Sequence, residues 1–222
     1  VLNQCVENPN KITNENLPFM GVLSTKLKDG TPCRVVRISF SGELAYEMYI
    51  ESDYAHGMMD LLWENAKKLD GCLYGLEALG ALRVEKGHVT AAELDGRTTI
   101  DDAGLGKMAS TKKSYIGSAM RKRGVLSEGD REMLVGFFPI NSKETFNAGT
   151  IVCEQHNIKG QGVGRITSVT HSPELGHWIG IGFVKGGLEK WKDITLVGAE
   201  PEDRITNELA KKVLETAQDF EL

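Results

Sequence analysis

The chain has 222 residues, of which 41% are hydrophobic and 26% charged, and its formal net charge is −5. This much apolar sequence can bury one large or two small cores, which excludes a disordered chain. The acidic balance argues against a nucleic-acid partner, because phosphate backbones are held by clustered Lys and Arg.

The opening, VLNQCVENPNKITNENLPFM, starts with Val and is polar and Asn-rich, with neither a basic start nor an apolar signal core. It reads as the cut edge of a longer polypeptide. Residues 33–40 are apolar and β-branched, Ser41 and Gly42 supply a turn, and residues 44–51 alternate again, which predicts an antiparallel hairpin. One face of its second strand carries Leu44, Tyr46, Met48 and Ile50; the other carries Glu43, Ala45, Glu47 and Tyr49, and by pattern alone faces water. Ala55, Met58, Leu62, Ala66 and Leu69 recur at helical spacing and predict an amphipathic helix over 54–69. A second helix, YGLEALGALRVEKG, is closed by Gly87 as a C-cap. On it Leu76, Leu79, Gly80 and Arg83 share one stripe, so Arg83 needs a carboxylate or carbonyls, either in a structural salt bridge or against a ligand.

Residues 88–112 are polar and loop-rich, and a helix is expected around 117–123. The densest basic stretch, KKSYIGSAMRKR, has only Tyr115 interleaved among its cations and reads as a solvated face. From Met133 the pattern changes to short strands punctuated by Gly and Pro: MLVGFFPI, GTIVCE, GVGRITSVT, WIGIGFV and DITLVG. Such spacing predicts a small antiparallel barrel or sandwich, with a domain boundary between about 124 and 132. Leu209, Val213, Leu214 and Ala217 then predict a terminal helix. The fold class is therefore α+β: a mixed α/β portion over 1–128 and an antiparallel β-barrel with a terminal helix over 129–222.

Most signature chemistry is absent. Cys5, Cys33, Cys72 and Cys153 form no C-x-x-C pair, and His171 and His177 have no carboxylate or thiol to complete a metal set, so no metal is expected. The thiols read as the reduced cysteines of a cytoplasmic protein. GQGVGRI departs from G-x-G-x-x-G spacing, GLGKMAS lacks half a phosphate loop, and no G-x-S-x-G elbow occurs. No stretch has the ~20 apolar residues of a membrane span.

Five motifs in register say more. RISFSGELAYEMYI, GLEALGALRVEKGH, TTIDDAGLGKM, KKSYIG and GRITSVTHSPELGHWIGIGFVKGG together resemble the folate-binding aminomethyltransferase family, typified by the T-protein of the glycine cleavage system. LVGFFPI, NAGTIV and GFVKGG look most like the C-terminal region of the alpha subunit of heterotetrameric sarcosine oxidase, and Leu79 stands where T-proteins carry a folate-contacting arginine. The resemblance implies tetrahydrofolate as cofactor here, with FAD, FMN and NAD elsewhere in a parent complex. It implies as partners the preceding part of the same polypeptide and the other sarcosine oxidase subunits, with neither nucleic acid nor membrane.

By the same resemblance Glu47 matches the glutamate that holds the pterin ring. Phe19 and Phe40 match aromatic walls of the pocket, His88 replaces a pocket tyrosine, and Arg83 and Glu43 are structural supports, Glu43 holding Arg83 or loop amides. The family's catalytic aspartate lies upstream of the matched region, so the catalytic residue is unknown. The implied activity is capture, as 5,10-methylenetetrahydrofolate, of the one-carbon unit released when sarcosine is oxidatively demethylated, with the isolated region a poor catalyst. A T-protein, a dimethylglycine-oxidising relative, and a non-catalytic folate module like the superfamily's iron–sulfur assembly factor are the alternatives. The last lacks support because EKGHVTAAE contains no cysteine.

Overall fold

The structure, a computed structural model, describes residues 1–127, 129–154, 161–191, 196–199 and 214–215. The chain divides into two compact units, Val1–Leu79 and Gly80–Leu222.

In the first unit, strands β1 (Val22–Lys26), β2 (Pro32–Val36) and β3 (Glu47–Tyr49) form an antiparallel sheet in that order. Register aligns Leu23 with Val35 and Val35 with Met48, so one face delivers all three to a core built on Val6, Ile12 and Leu17. The expected antiparallel hairpin forms, with β2 paired to β3, but its connection is longer than a tight turn at Ser41–Gly42. Residues 37–46 form a longer loop between β2 and β3, folded locally by the Gly42 amide donating to Ser39 Oγ (2.8 Å). The tight hairpin is instead β1–β2, turned where Gly30 adopts φ +91° and the Thr31 amide is held by Asp29 Oδ1 (2.9 Å). Its first strand was not anticipated, because VLSTK is too short and polar to stand out.

Helices α1 (Leu2–Cys5) and α2 (Ala55–Lys67) complete this unit. On α2 the deepest residue is Asn65, whose amide donates to Leu61 O (2.8 Å) and lies 3.6 Å from Cys5 Sγ. Met58, Leu62 and Ala66 of the predicted stripe are half-buried, as are Leu61 and Trp63, whereas Ala55 is exposed and Leu69 lies past the helix end and is exposed.

Helix α3 (Leu76–Glu85) leads into the second unit. It ends as predicted: Gly87 takes φ +72°, its amide donates to Val84 O (3.0 Å) and the His88 amide to Arg83 O (2.8 Å), a Schellman arrangement. A side chain at this left-handed position is strained, so Gly87→Ala should lower unfolding stability by about 1 kcal/mol, read from the urea midpoint.

The second unit holds an antiparallel sheet of β4 (Glu132–Phe137), β5 (Ile151–Glu154), β6 (Gly164–Ser172), β7 (His177–Lys185), β8 (Leu196–Ala199) and β9 (Leu214–Glu215), ordered β8-β5-β6-β7-β4-β9. It is covered on both faces. Val135, Phe137, Ile166 and Val184 form one core; Ile179 and Ile181, with Leu134 and Phe138, join Val84 of α3 in another. Two-sided burial explains why WIGIGFV reads as a continuous apolar run rather than an alternating one. A short helix, α5 (Gly187–Trp191), follows β7.

One helical expectation fails, and another falls largely outside the described residues. Around 117–123 the chain makes only a 3₁₀ turn (Met120–Lys122) followed by the short α4 (Gly124–Ser127), with Gly117 at φ +91° interrupting any longer helix. The predicted terminal helix falls mostly outside the described residues, and Leu214–Glu215 pairs as strand with Gly136 and Phe137 of β4.

Candidate functional site

Phe19, Phe40 and Glu47 flank one end of the first unit's sheet. Val22, Val36 and Glu47 form its terminal row. Just beyond it, the Met20 amide donates to Arg37 O (2.8 Å) and the Arg37 amide to Gly21 O (2.9 Å), tying the approach to β1 to the exit from β2. That tie bends the chain sharply: Met20 takes φ +67°, and a Cβ on Gly21 would lie 2.7 Å from Pro18 O, so only glycine fits. Arg37 anchors the same corner by donating to Asn14 Oδ1 (2.8 Å) and Leu17 O (3.3 Å), while its guanidinium lies 5.5 Å from the Tyr46 ring centroid.

The alternation read from the sequence holds from Tyr46 to Ile50 but not before it, where Leu44 is exposed and Ala45 half-buried in the loop. Tyr46, Met48 and Ile50 are half-buried, and Glu47 and Tyr49 are exposed on the opposite face. The Tyr49 hydroxyl donates to Glu47 Oε2 (2.5 Å), a bond that pushes the phenol's pKa up because it stabilises the neutral phenol beside an anion. Glu47 Oε1 has no partner among the described residues. Phe19 is 54% exposed and Phe40 36% exposed, so this end of the sheet presents two aromatic rings and a carboxylate to its surroundings.

His88 belongs to the second unit. Burial, then the charges of Lys86 and Arg83, push its imidazole pKa down, so it is neutral at pH 7. Its loop is fixed by Arg83, whose Nη1 donates to His88 O (3.2 Å) and to Glu93 Oε2 (3.0 Å) and whose Nη2 donates to Ser168 Oγ (2.6 Å). The carboxylate that holds Arg83 is thus Glu93, which sequence reasoning did not single out. Glu43, the expected support, is exposed, and its own amide leans on Ser41 Oγ (3.4 Å).

Glu93 is fully buried and saturated with donors: the Thr90 amide (2.8 Å) and hydroxyl (3.2 Å), Thr167 Oγ1 (2.7 Å), Ser168 Oγ (2.6 Å) and Arg83. Burial alone would raise its pKa, but the hydrogen bonds from Ser168, Thr90 and Thr167 and the Arg83 charge outweigh it and hold the carboxyl below its ordinary value. Asp102 is similar: burial opposes ionisation, and Arg131 with the Thr99 amide and hydroxyl more than offsets it. Among the described residues no His, Cys, Asp and Glu converge as a metal site, and no helix is long and apolar enough to cross a membrane. All four cysteines are free.

Comparison with known proteins agrees with this architecture. The family model of the GCVT N-terminal domain matches residues 1–113, and that of the glycine cleavage T-protein C-terminal barrel domain matches residues 133–214. The chain is 35% identical over 195 residues to sarcosine oxidase subunit alpha of Rhizobium meliloti, a match that takes in 84% of the chain and 19% of that protein. It is 32% identical over 187 residues to an aminomethyltransferase of Halothermothrix orenii, taking in 81% of the chain and 49% of that protein. In fold it is similar to the glycine cleavage system aminomethyltransferase T from Bartonella henselae, with a TM-score of 0.65 at 20% identity over 85% of the chain and 50% of that structure. The chain therefore spans about half the length of the aminomethyltransferases it matches and about a fifth of the sarcosine oxidase subunits.

Proposed function

Because the chain belongs to the GCVT family of glycine cleavage T-protein-like domains, we propose that it is the tetrahydrofolate-binding region of a sarcosine oxidase alpha subunit. The observation that carries this reading is the exposed carboxylate of Glu47, braced by Tyr49 through one oxygen and open at the other, at the sheet end that also holds Phe19 and Phe40. A pterin ring offers an N–H and an amino group side by side, and an ionised carboxylate accepts both in a charge-assisted pair. The flat heterocycle then has aromatic faces available for stacking. One acceptor and two aromatic rings therefore fit the group.

Bound here, tetrahydrofolate would supply the amine that accepts a one-carbon unit at the formaldehyde level, as 5,10-methylenetetrahydrofolate. In that reaction this chain's residues bind and orient. Glu47 fixes the pterin edge, and Phe19 and Phe40 flank the ring. Arg83 acts only through the backbone of the His88 loop. Holding two reactants in register contributes an entropic advantage and keeps a reactive carbonyl from water.

The catalytic aspartate, the flavin and nicotinamide sites (FAD, FMN and NAD), and the subunits that carry part of them are assigned to the rest of a cytoplasmic complex. The preceding segment of the same polypeptide is assigned to cover the exposed face of the first unit. On this reading the isolated chain is a poor catalyst. We place the boundary between the folate-binding portion and the barrel near 128, within the gap that separates the two matched ranges. A second reading, an aminomethyltransferase acting with a lipoyl-protein partner, is favoured by the match to the Halothermothrix orenii protein.

The deciding experiment titrates the polypeptide that carries this chain with folinic acid and compares it with Glu47→Gln. A charge-assisted pair contributes about 1.5–3 kcal/mol, so affinity should fall by about tenfold or more. Unchanged affinity removes the assignment.

A further inference from the structure

The basic stretch that the sequence presents as a solvated face lines a concavity. A cleft of about 930 Å³ opens in the second unit, lined by residues 101–102, 110–115, 118, 121–122, 126–127, 131 and 133. Its walls carry five cations, Lys112, Lys113, Arg121, Lys122 and Arg131, against two carboxylates, Asp101 and Asp102, an excess of three positive charges. The chain as a whole carries −5. Both carboxylates are already engaged: Arg121 grips Asp101 through Nε (2.5 Å) and Nη2 (2.6 Å), and Arg131 grips Asp102 through Nε (2.8 Å) and Nη2. Lys112, Lys113 and Lys122 have no carboxylate partner among the described residues.

We propose that this cleft is a binding site for a small polyanion carrying three or more carboxylate or phosphate charges. A solvated lysine face needs no concavity, whereas a cleft with a net excess of one sign of charge concentrates its field and raises the local concentration of counter-ions. The two arginines are scaffold, fixed by their aspartates, and Asp101 together with the Tyr115 hydroxyl raises the Arg121 pKa further, so it stays charged. The three lysines are mobile point charges able to follow a flexible ligand. Hydroxyls add neutral donors. Ser114 and Ser118 satisfy each other only across 3.4 Å, a weak contact that a bound oxyanion would replace with shorter bonds. The cleft volume lies in the range of small-molecule sites.

The test uses isothermal titration of the chain with inorganic tripolyphosphate and, separately, with citrate, at low and high potassium chloride. Binding of either probe supports the site, and the tighter one tells phosphate from carboxylate. Exchanging Lys112, Lys113 and Lys122 together for serine removes three exposed charges and should weaken the tighter probe about tenfold or more, with weaker binding at high salt. Exchanging all three for arginine should retain it. Lys107 is exposed and outside the cleft, and Lys107→Ser should leave affinity unchanged. Absence of binding by both probes at low salt, or an equal loss on Lys107→Ser, overturns the proposal.

Discussion

Glu93→Ala is expected to be the most damaging substitution in the chain. The side chain is fully buried and takes hydrogen bonds from Thr90, Thr167, Ser168 and Arg83. Removing it leaves the Arg83 guanidinium, only 12% exposed, without its counter-charge. Breaking a buried pair from one side costs about 3–5 kcal/mol, because the surviving charge is desolvated and uncompensated. Urea unfolding followed by circular dichroism should show the midpoint fall by that amount at unchanged slope. Replacing Arg83 and Glu93 together by leucine and methionine should recover part of the loss, since a matched apolar pair leaves no orphaned charge. A double variant no better than Glu93→Ala would show that the Thr167 and Ser168 bonds, rather than the ion pair, dominate.

The same residue sets an acid limit. Its folded pKa is depressed below the ordinary 4.5. The stabilisation it provides is therefore complete above the unfolded carboxylate's pKa and is lost as pH falls through the lower folded value. Asp102, held below 3.8 by Arg131 and Thr99 against the cost of burial, acts in the same direction. Stability should be flat in these groups from pH 7 down to about 5 and fall steeply below 4.5. Glu93→Gln should flatten that fall.

How much of this was legible depends on whether a residue's partner is near in sequence. The Gly87 cap was readable because all its bonds close within six residues, and the outward face of Glu47 and Tyr49 followed from strict alternation. The strands of the second unit were marked by glycine and proline punctuation. Glu93 was not readable as a partner of Arg83, because the network is completed by Thr167 and Ser168 on β6, far along the chain. The depth of Asn65 on α2 was unreadable for a related reason: it packs beside Cys5 of α1, sixty residues away. The grouping of Phe19, Phe40 and Glu47 came from the family resemblance. The Gly21–Arg37 and Met20–Arg37 bonds that bring their backbones to one sheet end depend on β1, the strand the sequence did not announce.

Gly182→Ala is the second large loss expected, and it tests how β6 and β7 approach each other. Register between them runs Ile166 to Gly182 and then Ser168 to Ile181, so β6 carries one extra residue, Thr167, at a bulge. The bulge presses the β6 backbone onto β7. A Cβ on Gly182 would lie 2.7 Å from Ile166 Cα and closer still to Arg165 O, both backbone atoms that cannot swing aside. Gly180, two residues earlier on the same face, would meet the Phe146 ring edge at 2.7 Å, which a side chain can relieve by rotating, and the Ser168 O backbone atom only at 3.0 Å. Forcing strands apart costs about 1–3 kcal/mol or more, so Gly182→Ala should approach the upper end and Gly180→Ala the lower. The bulge also places Thr167 and Ser168 against Glu93, so moving β6 should weaken that network too. Gly182→Ala combined with Glu93→Ala should therefore cost less than the two separate losses added. Strict additivity would mean that the close approach at Gly182 is independent of the Glu93 network.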